Sequence, residues 1–242
     1  MGINKYALVL GLITFQVFSI WSVQAQKKIK LGNQVWMKKN LNLDVFQNGD
    51  PILEVTSEED WIEALKMSQP AWCYYDFNPS NGYKYGKLYN WYAVIDPRGL
   101  APVGWRIPSE ADWDTLINFL GKNATDHEIA HDRLKSNTGW GQLQIGKKRS
   151  GFNAKPGGYI SPSGMRPFDG ARDRGFWWST TLDQPETGEK KTSHRVWVIQ
   201  LNKRFSDLDS RTGRWFRESI WDLHYDDSGH SVRCIQNSSH IQ

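Results

Sequence analysis

Turn signals cut this chain into short pieces, and that punctuation limits the folds open to it. Asn48-Gly49, Pro156-Gly157-Gly158, Ser163-Gly164, Thr187-Gly188, Thr212-Gly213 and Ser228-Gly229 each join a glycine to a turn-favouring residue. Asp96-Pro97-Arg98-Gly99 spells a type I turn, with Asp at the first corner, Pro fixing φ at the second and Gly at the fourth. Short apolar runs between many turns read as a loop-rich α+β domain with short antiparallel sheets and two or more short helices, not as a βαβ array. No repeat, low-complexity tract or Pro/Ser linker divides residues 27–237, so they read as one domain.

One helix is well specified. Ser109 caps it and Asp112, three residues on, completes a pattern like a capping box. Trp113, Leu116, Ile117 and Leu120 then recur at i, i+3, i+4 and i+7, and Gly121 closes the run. A second helix starts after Ser57, where Glu58, Glu59 and Asp60 suit the positive end of the helix dipole and Trp61, Ala64 and Leu65 form the apolar stripe. Leu88, Trp91 and Tyr92 read as a short third helix and Ile129 through Leu134 as a fourth. Strands are expected at Val35–Met37, Phe176–Thr181, Arg195–Leu201 and Ser231–Ile235. The Arg195–Leu201 stretch is apolar on both alternating faces, which fits a strand covered on both sides.

The first 25 residues have the grammar of a secretory signal: Lys5 as the positive region, an apolar run from Tyr6 to Ile20, and Val23-Gln24-Ala25 as the cleavage element. Residues 1–25 are therefore expected to be removed, leaving Gln26 at the mature N-terminus and no membrane span. The formal net charge is +4, with both signs interleaved; without a basic block or a known motif, no nucleic-acid partner is expected. Two cysteines, Cys73 and Cys234, allow at most one bridge and exclude both a zinc-thiolate knuckle and a disulfide-dense scaffold. The chain has 13 tryptophans, which means either an aromatic core or an aromatic binding face; Trp105, Trp113, Trp177 and Trp178 are expected in the core.

Six ordered segments carry a resemblance. They are Gly32-Asn33-Gln34-Val35-Trp36-Met37-Lys38-Lys39-Asn40-Leu41, Tyr85 through Val94 (YGKLYNWYAV), Ala101 through Trp113 (APVGWRIPSEADW), Gly151 through Gly158 (GFNAKPGG), Phe176 through Thr181 (FWWSTT), and His230-Ser231-Val232-Arg233-Cys234. Together they resemble the Fibrobacter succinogenes major paralogous domain family of secreted bacterial proteins, over nearly the whole mature chain. The resemblance implies a C-type-lectin-like fold, similar to formylglycine-generating enzymes, in which the terminal strands pair and long loops carry any ligand site. Many members of the family carry a Cys where this chain has Ala101, as a partner for the C-terminal Cys. Cys234 is therefore expected to be a buried free thiol, with a Cys73–Cys234 bridge as the alternative. The catalytic cysteine pair of the formylglycine-generating relatives has no counterpart in these motifs.

Signals for chemistry are sparse. His127-Glu128-Ile129-Ala130-His131 only superficially resembles a metalloprotease helix, with no third ligand in view. Asp222, Asp226 and Asp227 read as a solvated acidic turn rather than a calcium site, because calcium takes about 6–8 oxygens. Phosphate loops and nucleophile elbows are missing. No catalytic residue, metal or cofactor is assigned. The remaining candidate is Arg214, Trp215, Arg217 and Trp221, where aromatics interleave with guanidinium groups in a stretch without core periodicity. Two readings stay open there: a ligand-facing loop, or Trp215 and Trp221 plugging the core. The expectation is a non-catalytic, exported binding or adhesion-like domain that recognises a polysaccharide or a surface protein. An enzyme acting on an extracellular polymer and a structural envelope component are the alternatives.

Overall fold

The first strand, β1 (Lys28–Leu31), turns at Gly32-Asn33 into β2 (Gln34–Met37). Gly32 takes φ +59, a left-handed conformation that glycine adopts without steric cost. The computed structural model describes residues 27–121, 127–140, 149–162, 166–182, 196–203, 217–219 and 228–237. Among the described residues the hairpin belongs to a four-stranded sheet that β13 (Ile235–Gln236) and β6 (Trp105–Arg106) complete, in the order β1-β2-β13-β6. Ile235 faces Trp36 on one side and Arg106 on the other, both antiparallel, so the C-terminal strand lies inside the N-terminal sheet.

A second sheet of nine strands forms the body. Its strands are β3 (Leu53–Glu54), β4 (Ala71–Cys73), β5 (Leu88–Asn90), β7 (Gly157–Ile160), β8 (Phe168–Ala171), β9 (Arg174–Leu182), β10 (Val196–Asn202), β11 (Arg217–Ser219) and β12 (Gly229–His230). Their order is β11-β10-β9-β7-β12-β5-β4-β3, with β8 also on β7. Pairing is antiparallel except at β3–β4 and β7–β9. The expected apolar strand forms β10, buried at six of its seven positions. Mixed sheets with segregated helices make this an α+β fold.

The helices follow their caps. The first, α1 (Glu58–Lys66), begins where the Asp60 N–H donates to Ser57 Oγ at 3.1 Å, and it buries Trp61 and Ala64. The short α2 (Gly82–Tyr85) and α3 (Trp91–Ile95) come next. The third expected helix starts later than its apolar spacing indicated. Leu88 is in β5, and Asn90 ends that strand while its Oδ1 accepts from the Ala93 and Ala71 N–H groups, each at 3.0 Å. An Asn at that junction satisfies both elements, so the strand runs up to the cap. The long helix α4 (Glu110–Gly121) has the box read from its sequence: Asp112 Oδ2 accepts from the Ser109 N–H at 2.7 Å, and Asp112 N–H faces Ser109 Oγ at 3.3 Å. Arg106 grips the same carboxylate, with Nη2 to Oδ1 at 2.7 Å. The last helix, α5 (His127–Leu134), packs on α4.

Eight of the ten described tryptophans are buried, which assigns most of them to the core rather than to a display face. Trp36, Trp113 and Phe152 meet at 4.7–5.8 Å between α4 and the four-stranded sheet. Each such indole hides about 150–250 Å², roughly 4–6 kcal/mol of apolar transfer before entropy is charged against it. Trp113, Trp177 and Trp178 are fully buried as expected, whereas Trp105 is half-buried because β6 is an edge strand.

The expected continuous strand Ser231–Ile235 is two strands. Residues 229–231 belong to the large sheet, where the Trp178 N–H donates to the Ser231 carbonyl at 3.0 Å. Residues 235–236 belong to the small one. Between them the chain changes sheets, and the Val232 carbonyl instead accepts from the Leu41 N–H at 2.7 Å.

Candidate functional site

At this crossing Arg233 is 1% exposed, and no carboxylate pairs with it among the described residues. Oxygen dipoles solvate it instead. Its Nε and Nη2 donate to Asn40 Oδ1 at 3.0 and 2.6 Å, and Nη1 donates to the Met37 and Phe152 carbonyls at 3.3 and 2.7 Å. The Phe152 ring lies 4.6 Å from the guanidinium carbon, within cation–π range. Burial pulls the Arg233 pKa down to about 9, so the group is still charged at neutral pH.

Asn40 is the hub of this knot. Its Oδ1 also accepts from Trp177 Nε1 at 2.9 Å, while Nδ2 donates to the Tyr85 carbonyl at 2.7 Å and to Ser231 Oγ at 3.1 Å. Both amide hydrogens are used and three donor groups converge on one oxygen, which fixes the rotamer and flip of this side chain.

Above the knot opens a cleft of about 450 Å³, inside the range of about 300–1,000 Å³ typical of ligand sites. One wall is the segment leaving β2, with Lys38, Lys39, Asn40 and Asn42; the second is α2 with Gly86; the third carries Asn153 and Lys155; Arg233 is in the floor. Two glycines make the wall of α2 possible. A Cβ on Gly82 would fall 2.2 Å from the Tyr74 ring, so only glycine lets the helix rest on that tyrosine. Gly86, at φ +77, brings its backbone against Leu41, where a Cβ would meet the carbonyl oxygen at 2.7 Å.

The site is cationic. Lys39 Nζ sits 5.0 Å above the Tyr83 ring and Lys84 Nζ 4.5 Å above Tyr85. Lys155 Nζ is steered by Thr138, donating to Oγ1 at 3.0 Å and to the carbonyl at 3.2 Å. Desolvation lowers the Lys155 pKa, and the charge of Lys84 pushes it the same way. Among the described residues the lining includes four lysines and Arg233 and no carboxylate, histidine, serine or cysteine, so they supply no carboxylate pair and no serine or cysteine nucleophile.

Four of the six motif segments contribute to this cleft: Lys38 to Asn40 from the first, Tyr85 and Gly86 from the second, Asn153 and Lys155 from the fourth, and Arg233 from the sixth. Trp177 of the fifth ties into the knot below. A family model described as the Fibrobacter succinogenes major domain matches residues 29–236. The chain belongs to this family. No curated protein and no solved structure gives a match.

The cleft of this Fibrobacter major domain differs from the site read in the sequence. Arg217 opens β11 opposite Ile199, while Arg214, Trp215 and Trp221 lie outside the described residues, as do Asp222, Asp226 and Asp227. In the His-Glu-Ile-Ala-His helix, His131 is fully buried and its Nε2 accepts from the Asn202 N–H at 3.2 Å. Among the described residues no group of three or more His, Cys, Asp or Glu is placed to hold a metal. Both cysteines are buried and unbridged: Cys73 packs beneath α1, whereas Cys234 shares its apolar cluster with Ala101. Burial pushes the Cys234 thiol up to about 12 and the Cys73 thiol well above its usual range, so neither is an activated nucleophile.

The lysines of the cleft lie inside or beside the six motif segments. Two of them carry a local signal, a lysine next to an aromatic or an asparagine (Lys39-Asn40, Tyr83-Lys84-Tyr85), whereas Lys38 and Lys155 carry none.

Proposed function

We propose that this is a non-catalytic binding domain of an exported protein, taking a polysaccharide or a surface protein at the lysine-lined cleft. The observation that carries the reading is a ligand-sized opening over a hydrogen-bonded, buried guanidinium, with five cationic side chains and no carboxylate or histidine among the described residues of its lining. Export is supported by the Lys5–Ala25 pattern and by a family of secreted proteins that the motifs resemble; among the described residues no helix is long and apolar enough to cross a membrane.

The test is binding of the mature protein to an array of glycans and to envelope proteins, comparing the parent with Lys39→Ala/Lys84→Ala and with Trp215→Ala/Trp221→Ala. Loss with the first pair at unchanged melting temperature locates the site in the cleft. Loss with the second pair alone moves it to the arginine–tryptophan loop. Hydrolysis of any array member would replace the binding reading with an enzymatic one.

A further inference from the structure

We infer that the cleft selects acidic polysaccharides, chains of sugars that carry carboxylate or sulfate groups, with a sugar face on Tyr83 and the acid group between Lys84 and Lys155. The inference rests on the cleft being the binding site. Three features converge on it.

Tyr83 is 87% exposed, the most exposed large aromatic of the described residues, on a helix held down by its neighbours Gly82 and Tyr85. An aromatic ring with a face open to solvent suits the flat C–H face of a pyranose. Lys39 sits over one face of this ring and adds a cation beside the other, open face. Lys84 and Lys155 line the same opening from different walls, with no carboxylate among the described residues of the lining, and the charge of Lys84 adds to desolvation in disfavouring the ammonium form of Lys155. An anion placed there relieves that repulsion and gains charge-assisted hydrogen bonds. Asn42 and Asn153 line the same space with amides, which exchange hydrogen bonds with hydroxyls as readily as water does.

The combination separates an acidic glycan from an acidic peptide. A peptide that relies on charge has no use for an open aromatic face flanked by amides, whereas a glycuronan presents a stacking face, hydroxyls and a carboxylate in each repeat.

The experiment measures binding of the mature protein to polygalacturonate, to the same polymer with its carboxylates methyl-esterified, and to polyglutamate. Polygalacturonate is expected to bind, with about a tenfold loss on esterification and a similar loss in Lys84→Gln/Lys155→Gln, near the factor that 1.4 kcal/mol corresponds to. Tyr83→Ala is expected to weaken the glycan by about the same factor while leaving polyglutamate unchanged. Near-UV circular dichroism checks that each variant is folded, and Lys84→Glu alone, on the exposed rim, repeats the charge test if Lys155 proves structural. Equal affinity for acid and ester overturns the inference but leaves a cleft that binds glycans. Tighter binding to polyglutamate, indifferent to Tyr83, overturns it in favour of an acidic protein partner. Binding that survives Lys84→Glu overturns the cleft as the site, and with it the reading on which the inference stands.

Discussion

His230 and Arg233 stand three residues apart in one segment, both are buried, and the fold treats them in opposite ways. Arg233 is surrounded by oxygens from Asn40, Met37 and Phe152 and keeps its charge. Among the described residues His230 has no hydrogen-bond partner on either ring nitrogen, and it is surrounded by rings: Trp178 at 4.5 Å, Phe176 stacked at 5.4 Å and Tyr159 at 6.0 Å. Burial alone pulls its pKa down to about 3, so it acts as a neutral aromatic plate. Where the chain changes sheets, loose carbonyls are available to solvate a cation. Where it is still paired in β12, the backbone oxygens are committed to the sheet and only side-chain rings remain.

The sharpest way to break the comparison is to empty the hub. Asn40→Ala removes the acceptor of two Arg233 nitrogens and of Trp177, leaving buried donors unmatched, and is expected to cost about 3–5 kcal/mol in denaturant unfolding. A cost below about 1 kcal/mol would mean that water takes the place of the amide.

Acid titration probes the other half. The folded pKa of His230, about 3, lies below the 6.5 of an unperturbed imidazole, so the unfolded chain binds the extra proton in that window. Its contribution is therefore fully present above pH 6.5 and is lost as pH falls toward 3, at up to about 1.4 kcal/mol per pH unit. His230→Phe is expected to flatten the acid limb of the stability profile by up to one proton, whatever its effect at neutral pH. An unchanged slope would show that the imidazole finds a partner or solvent.

These two sites also mark where sequence reading stops. The Ser109–Asp112 box, the Ser57 cap, the strand from Val196 and the burial of Trp113 and Trp177 were all legible, because each is set by neighbours within a few residues or by a strict period. The cleft was not. Asn40 and Arg233 are 193 residues apart, and nothing local says that an asparagine amide will serve a guanidinium, a tryptophan and a tyrosine carbonyl at once. The same holds for Lys39, Lys84 and Lys155, each an ordinary surface lysine until the fold sets them around one opening. The density of Arg214, Trp215, Arg217 and Trp221, by contrast, is visible in one dimension.

Two smaller effects complete the series. Thiol titration in denaturant without reductant is expected to find two reactive groups per chain, since Cys73 and Cys234 lie in separate apolar clusters; finding none would restore the bridge. Lys84→Gln is expected to shift unfolding by less than about 0.5 kcal/mol, as for other surface changes, because the residue is exposed and its ammonium contacts the Tyr85 ring.

The insertion of β13 between β2 and β6 sets an order of assembly. A ribosome delivers β1, β2 and β6 long before Ile235, so through most of synthesis the first sheet lacks its middle and β2 keeps an open edge. Arg233 emerges after every residue it bonds. A nascent chain or a fragment that stops short of residue 233 thus carries the four lysines of the cleft with no floor beneath them.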